Sequence, residues 1–165
     1  MIVWGFSSRR KVDKFSFRGM FADMENLTVE MTDPIAIRRF MLAGDAVITL
    51  QSERTGGHFT YRVRKAKEGE TWFVSVLTGT DQYRYMGILA GARLMFRHTF
   101  KAQVAADSPS FRGFAYFWNH MSADRLAPHM KVRHEGRCGR CGRPLTHPES
   151  IDLGIGPECA TKMGI

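Results

Sequence analysis

The spacing of apolar and polar positions, together with helix-start signals, predicts two helices. Each begins with an N-cap residue followed by proline, at Asp33-Pro34 and at Ser108-Pro109. Gly44 is a suitable C-terminal stop for the first helix. Behind the second start, apolar residues recur at helical spacing: Phe111, Phe114, Ala115, Trp118 and Met121. We expect this stripe to pack in the core.

Between the two helices the apolar residues recur at every second position. Phe59, Tyr61 and Val63 alternate with polar neighbours, and Gly-containing turns at 55–57 and 67–69 favour hairpins. The sequence Thr-Gly-Thr-Asp at 78–81 is predicted to be a turn rather than a phosphate-binding loop. Further strands are predicted at 46–52, 72–77 and 83–89, with a fifth candidate at 94–98.

These elements predict an α+β fold. The first domain, residues 1–128, is expected to be an antiparallel meander of four or five strands packed with one or two helices on one face. Residues 129–165 are expected to form a small separate module. Residues 1–30 receive no element, but Phe15, Phe17, Met20 and Phe21 are too apolar for a free tail, so part of this segment is expected to join the core.

Composition excludes several classes of protein. The 165 residues are 44% hydrophobic and 24% charged, which excludes disorder of the whole chain. The longest stretches without charge, 71–80 and 113–123, are too short to span a membrane. The three cysteines cannot all pair, which favours a reducing compartment over a secreted disulfide scaffold. We therefore expect a cytoplasmic protein without a membrane partner.

Positive charge is in excess and is clustered along the chain. The net charge is +8, and basic blocks occupy 9–18, 54–67, 84–101 and 125–143. If Phe59, Tyr61 and Val63 face the core, Arg62 and Arg64 project from the other face of the sheet, with Arg84 as a further member. Such a row is suited to phosphate groups, so a polyanionic partner is expected. The alternative is a solvated sheet face with scattered charge.

All three cysteines lie in the last 28 residues. Cys138 and Cys141 form a C-x2-C turn with glycine inside and after it, and Cys159 follows Gly-Pro-Glu at a predicted helix start. A knuckle followed by a ligand at a helix start is typical of treble-clef zinc sites. A redox pair or buried thiols are the alternatives, but no βαβ unit surrounds the C-x2-C turn. We predict a structural zinc ion, because a tail of about 30 residues with few large apolar groups needs metal to fold.

The motif does not identify the fourth zinc ligand. Treble-clef sites normally supply it three residues after the third ligand, where this chain has Lys162. His134, four residues before Cys138, is the preferred substitute, and His147, six residues after Cys141, is the alternative. His129, a carboxylate and water complete the candidates.

The C-terminal motif also supplies a resemblance. The runs 137–146 (RCGRCGRPLT), 148–151 (PESI) and 154–159 (GIGPEC) resemble a C-terminal zinc module of uncharacterised proteins from bacteriophages, plasmids and other mobile elements. The match is specific over about 25 residues, and segments 59–65 and 72–79 and the Ser108-Pro109 helix resemble the same family. The family usually has His-x-Gly-Arg-Cys, which residues 134–138 fit and which favours His134. The resemblance implies a mobile-element setting, and host cytoplasm as the compartment, but no activity.

No catalytic set is recognisable in the sequence. It contains no P-loop, no H-E-x-x-H, no G-x-S-x-G and no paired-carboxylate motif. His58, His98 and His120 are interpreted as ordinary surface or edge histidines. The protein is therefore expected not to be an enzyme, and an unrecognised active site is the least favoured hypothesis.

Two non-catalytic functions are compatible with these features. The first is binding of nucleic acid or of a host nucleoprotein, with the knuckle arginines Arg137, Arg140 and Arg143 adding to Arg62, Arg64 and Arg84. The second is inhibition of a host defence system, in the manner of an anti-CRISPR protein, through protein–protein contacts. An inhibitor needs no catalytic residues, and a basic one could compete for a nucleic-acid channel.

Overall fold

The computed structural model describes residues 28–165 as seven strands and four helices. Residues 1–27, which contain most of the segment left without an element above, lie outside the described residues. In chain order the elements are β1 (Val29–Met31), α1 (Pro34–Leu42), β2 (Asp45–Ser52), β3 (His58–Lys65), β4 (Trp72–Gly79), β5 (Gln82–Ala90), β6 (Met95–His98), α2 (Pro109–Met121), β7 (Met130–His134), α3 (Pro148–Leu153) and α4 (Pro157–Met163).

Both predicted helix starts are confirmed. The Asp33 carboxylate accepts hydrogen bonds from the backbone N–H groups of Ile35 and Ala36, at 3.2 and 3.1 Å. The Ser108 hydroxyl accepts one from Phe111 at 3.2 Å. These caps satisfy backbone donors that have no partner inside the helix. Within residues 28–165 no helix is long and apolar enough to cross a membrane, since α2, the longest, has 13 residues.

The strands form a single antiparallel sheet in the order β1-β7-β2-β3-β4-β5-β6. Strands β2 to β6 are the predicted meander, which confirms the α+β class. Two more strands, β1 and β7, extend the sheet beyond β2 and bring the number to seven rather than four or five. They have only three and five residues, which is too few to show an alternating pattern in the sequence.

Strand β7 makes the first residues of the C-terminal segment part of the sheet. It pairs with β1 on one side and with β2 on the other, with Val132 opposite Leu50 and His134 opposite Ile48. The predicted boundary between residues 128 and 129 therefore falls just before a strand that lies within the sheet. Within the predicted module, the residues after His134 lie outside the sheet and continue directly from one of its inner strands.

Helices α1 and α2 cover one face of the sheet. The Tyr61 hydroxyl donates to the Ser110 carbonyl in α2 at 2.8 Å, and its ring lies 5.1 Å from that of Phe114. The Trp72 indole N–H donates to the Leu42 carbonyl at the end of α1 at 3.1 Å. All of these side chains except Leu42 are buried, so the core lies between this face and the two helices.

A β-bulge in β5 reverses which side chains face the helices. Val74 is opposite Gly87, but Ser75 is opposite Tyr85, so Met86 is the extra residue of the bulge. A Cβ atom on Gly87 would collide with the Arg97 carbonyl oxygen of β6, so only glycine allows the two strands to approach here.

The bulge places Arg84 on a different face of the sheet from Arg62 and Arg64, with which it was predicted to form a row. Beyond it Arg84 is opposite Val76, a buried residue of the helix-covered face. Arg62 and Arg64 lie on the other face, because they alternate with Tyr61 and Val63 as predicted. Arg84 therefore does not join them. The sequence pattern carries no sign of the extra residue, which shifts the alternation by one position.

Candidate metal centre

The structure brings the three cysteines together. The sulfur atoms of Cys138, Cys141 and Cys159 all lie within 4.8 Å of one another. Cys138 and Cys141 belong to the turn after β7, and Cys159 lies in the first turn of α4. Thiolates bound to one tetrahedral zinc ion are separated by about 3.8 Å, because each Zn–S bond is about 2.3 Å long. Side-chain shifts of about 1 Å would therefore place the three sulfurs around one ion.

The knuckle is held by its own backbone. The Cys138 N–H donates to the Arg143 carbonyl and the Gly142 N–H donates to the Cys138 carbonyl, both at 2.8 Å. Gly142 has φ +72°, a left-handed conformation that favours glycine. An isolated bridge between Arg137 and Pro144 closes the turn into a short hairpin. The hairpin, followed by a ligand at a helix start, gives the treble-clef-like arrangement that the spacing predicted.

Hydrogen-bond donors around its sulfur lower the pKa of Cys138 and so favour its thiolate form. Burial by itself raises the pKa of this thiol. Backbone N–H groups of Gly156, Arg140 and Cys141, together with the Cys141 side chain, outweigh burial and leave the pKa below its ordinary value. The Gly156 N–H lies 3.4 Å from the sulfur. Burial, together with the neighbouring cysteines, raises the pKa of Cys159 to about 11. A cation beside the sulfur would favour the thiolate form of Cys159.

A cavity of about 160 Å³ opens beside the sulfur atoms. Its lining includes all three cysteines, and also His147, Ser150 and Glu158. His147 is the residue before the first turn of α3, and its side chain makes no capping hydrogen bond there. The alternative fourth ligand thus lines the same cavity as the three thiols, although its exposed side chain is not part of the group of ligand atoms within 4.8 Å of one another.

His134 lies outside the cysteine group. It is buried in β7, and its Nε2 lies 2.9 Å from the Ile151 carbonyl oxygen, to which it donates. Its Nδ1 accepts a hydrogen bond from the Gly136 N–H at 3.1 Å. Burial lowers the pKa of His134, which favours this neutral form. Both ring nitrogens have backbone partners, so in this arrangement His134 connects the sheet to α3. Neither His134 nor His147 is among the residues whose ligand atoms lie within 4.8 Å of one another.

The module after β7 packs on α1 through two glycines. A Cβ atom on Gly139 would lie 2.6 Å from Phe40 Cδ2, and one on Gly154 would also overlap this ring. The Asp45 N–H at the start of β2 donates to the Gly139 carbonyl at 2.7 Å. Sequence reasoning did not identify Phe40 as the partner, although glycines at 139 and 154 in the motif were a signal that something packs closely there.

The two arginines on the uncovered face share one acidic neighbour. The guanidinium of Arg62 donates to both carboxylate oxygens of Asp45, at 2.7 and 2.6 Å, and this pair raises the pKa of Arg62. Arg64 lies 3.9 Å from the same carboxylate, and 63% of its side chain is exposed. Arg64 is therefore the more available cation of the two.

The three knuckle arginines have different surroundings. Arg137 donates to the Gly142 carbonyl at 3.3 Å, and Arg143 lies 3.7 Å from the Glu158 carboxylate. Arg140 donates to the Cys159 carbonyl at 3.4 Å. Of the six predicted arginines, Arg62 and Arg64 therefore lie on the uncovered sheet face and Arg84 on the helix-covered face, and the other three belong to the knuckle.

Arg140 takes part in a basic hollow that the sequence did not predict. The hollow has a volume of about 490 Å³ and is lined by residues of four segments: Leu42, Ala43, Gly44, Lys65, Arg140, Lys162 and Met163. Three of them are cations and none is acidic, although Lys65 also pairs with Glu70 at 2.8 Å. The three cations are far apart in sequence, and only the packing of the module against α1 and β3 brings them together.

Comparison with known proteins finds a family match for the C-terminal segment only. Residues 129–164 match the model of a family of unknown function (DUF6011). The match includes β7 and all three cysteines, and it agrees with the resemblance of this segment to an uncharacterised family. No curated protein and no solved structure matches the chain. The function must therefore be argued from the geometry.

Proposed function

We propose that this chain is a non-catalytic, zinc-stabilised protein that binds nucleic acid. The convergence of three sulfur atoms within 4.8 Å supports the metal. Soft thiolate ligands in tetrahedral sets select zinc among the abundant divalent ions, and sets rich in cysteine are typical of structural sites. Such an ion would connect the knuckle to α4 and so hold the module against the sheet.

We propose His147 as the fourth ligand. It lines the cavity that contains the three thiols, whereas both nitrogens of His134 are hydrogen-bonded to backbone groups. A neutral imidazole is a common zinc ligand and completes a Cys3His set. With four protein ligands the ion would have no position for an attacking water, which agrees with a structural role.

The observation that carries the nucleic-acid proposal is the basic hollow. Lys65, Arg140 and Lys162 come from β3, the knuckle and α4, and they line one concavity without an acidic residue among them. Phosphate groups supply most of the affinity of proteins for nucleic acid, and lysine and arginine are the residues that bind them. Since the metal would hold the knuckle and α4 together, it would also maintain the relative positions of Arg140 and Lys162.

A salt series with charge-reversal variants tests the proposal. Contacts to about four to six phosphates would make affinity fall by about 10² to 10³ over a fourfold rise in salt. Arg140→Glu and Lys162→Glu should weaken binding to all sequences alike and reduce the salt slope by about one contact each. Arg125→Glu, in the exposed loop between α2 and β7, makes the same change in net charge away from the hollow and is the control. Absence of binding to DNA and RNA below about 10 μM at low salt contradicts the proposal.

A protein or nucleoprotein partner is the second candidate, which includes an inhibitor of a host defence system. One observation favours it: Phe100, between β6 and α2, is 94% exposed, and the Lys101 amine lies 5.6 Å from its ring. An exposed aromatic beside a cation is typical of interface anchors. Phe100→Ala should then abolish capture of a host protein by the full chain and leave binding to purified nucleic acid unchanged.

A further inference from the structure

The side of the sheet opposite α1 and α2 is a second candidate surface. We call it the open face, and the pairing of β1 to β7 assigns to it Glu30, Asp45, Val47, Thr49, Gln51, His58, Thr60, Arg62, Arg64, Phe73, Ser75, Leu77, Tyr83, Tyr85, Ile88, Ala90, Met95, Arg97, Lys131 and Arg133. All of these residues are at least partly exposed. Within residues 28–165 no helix packs on this face, because the helix contacts above all involve the other one.

One row of side chains crosses the open face from β3 to β6. Arg64 is opposite Phe73, Phe73 is opposite Ile88, and Ile88 is opposite Arg97. Neighbouring strands are about 4.8 Å apart, so the two arginines stand about 14 Å apart with an apolar pair between them. Arg97 is exposed and has no acidic partner within the described residues.

The apolar part of the open face is aromatic and accessible. Phe73 is 46% exposed, and its ring and that of Tyr85 are in an edge-to-face arrangement with 6.1 Å between centroids. Tyr83 carries the Arg62 guanidinium over its ring at 5.8 Å. The bulge in β5 places both tyrosines here, since without it they would face the helices. The rings form an aromatic patch beside arginines.

Charge on the open face favours an anionic partner. Its paired strands carry five cations, Arg62, Arg64, Arg97, Lys131 and Arg133, and two acids, Glu30 and Asp45. Two further acids border the face, since Glu53 lies 3.9 Å from Lys131 and the charge of Glu135 acts on Tyr83. Asp45 is engaged mainly by Arg62, and Glu30 lies 3.9 Å from Arg133. Arg64 and Arg97, at the two ends of the row, therefore remain available to phosphates.

We propose that the open face binds single-stranded nucleic acid, with a base stacked on Phe73 and flanking phosphates on Arg64 and Arg97. This inference rests on the proposed function and specifies the form of nucleic acid. Aromatic side chains on a sheet, bordered by cations, bind unpaired bases by stacking, whereas a duplex keeps the faces of its bases covered. Arg64 and Lys65 are adjacent in β3 and lie on opposite faces, so the row and the basic hollow are close to the same end of that strand.

Fluorescence anisotropy with the full chain tests the inference. The probes are a 12-nucleotide oligo-dT, an oligo-U of the same length and a 12-base-pair duplex. Both single strands should bind at least about tenfold more tightly than the duplex, and about equally, since stacking and phosphate contacts do not involve the 2′-hydroxyl. Phe73→Ala should weaken single-strand binding by about five- to 150-fold.

Tyr116→Ala is the matched control, because Tyr116 is 45% exposed and lies on α2, on the helix side. It should leave affinity within about twofold of the unchanged chain. Equal effects of Phe73→Ala and Tyr116→Ala, or a preference for the duplex, would overturn the inference and leave the proposed function standing. A loss of dimer rather than of oligonucleotide binding in Phe73→Ala, seen by sedimentation, would also overturn it. Absence of binding to all three probes contradicts both proposals.

Discussion

Gly139 and Phe40 approach so closely that no side chain could stand between them. A Cβ atom at position 139 would lie 2.6 Å from Phe40 Cδ2 and 2.7 Å from the Phe40 carbonyl oxygen. Phe40 is buried, and its ring also lies 5.2 Å from that of His134 in β7. The knuckle that carries Cys138 and Cys141 is thus seated directly on α1. A metal ion held by these cysteines would therefore be coupled to the packing of the sheet through this contact.

Gly139→Ala should destabilise the protein. The added methyl group must displace the Phe40 ring and backbone, and overpacking of this kind costs about 1–3 kcal/mol. Gly156→Ala is the control in the same module, because its Cβ would meet Leu145 Cδ2 at an ordinary 3.6 Å. Denaturant unfolding with metal present measures both variants. Equal losses of unfolding free energy would show that Gly139 is not tightly packed on Phe40.

Removal of metal should lower the stability of the whole described chain and not of the C-terminal segment alone. β7 lies between β1 and β2, and the Asp45 N–H in β2 bonds to the Gly139 carbonyl. With a chelator, a single thermal transition should shift down by at least about 5 °C. Circular dichroism, together with tryptophan fluorescence, to which the buried Trp72 and Trp118 contribute, follows it. A separate C-terminal transition, with the sheet unaffected, would contradict the coupling.

The two candidate histidines should respond differently to substitution. His147→Ala should weaken zinc binding by at least about tenfold, because it removes a ligand. His134→Ala should lower stability, since it removes the link to the Ile151 carbonyl, but should retain one zinc per chain. Competition with a chromogenic chelator measures affinity in both variants. If His134→Ala loses the zinc and His147→Ala keeps it, the assignment is reversed.

His134 should also make stability depend on pH. Burial holds its pKa in the folded state below the usual value of about 6.5, so the unfolded chain takes up this proton first. Its contribution is complete above about pH 6.5 and is lost as the pH falls towards the folded-state pKa. His134→Asn should show a smaller decrease in unfolding free energy between pH 7.5 and 6 than the unchanged chain. Identical decreases would show that His134 is not buried in its neutral form.

The sequence was sufficient for the parts of the fold that have strong local signals. Asp33-Pro34 and Ser108-Pro109 begin helices because their side chains cap them, and the alternation around Tyr61 marks a half-buried strand. β1 and β7 were missed because strands of three and five residues are decided by their partners in the sheet. The face of Arg84 was assigned wrongly because a bulge gives no sign in the alternation.

The candidate site was predictable where spacing determines geometry. A C-x2-C turn brings two thiols together, and glycine and proline before Cys159 start the helix that supplies the third. The basic hollow was not predictable, because Lys65 and Arg140 meet only through the packing of Gly139 on Phe40. The position of His134 likewise depends on β7 entering the sheet.

Metal content measured together with thiol reactivity tests the central claim most directly. Protein purified without added metal, and analysed by elemental mass spectrometry, should contain about one zinc per chain. Its three cysteines should react slowly with a thiol reagent until a chelator is added, because thiolates bound to zinc are protected. Less than about 0.2 equivalents of metal, with three freely reacting thiols in the folded protein, would contradict the account.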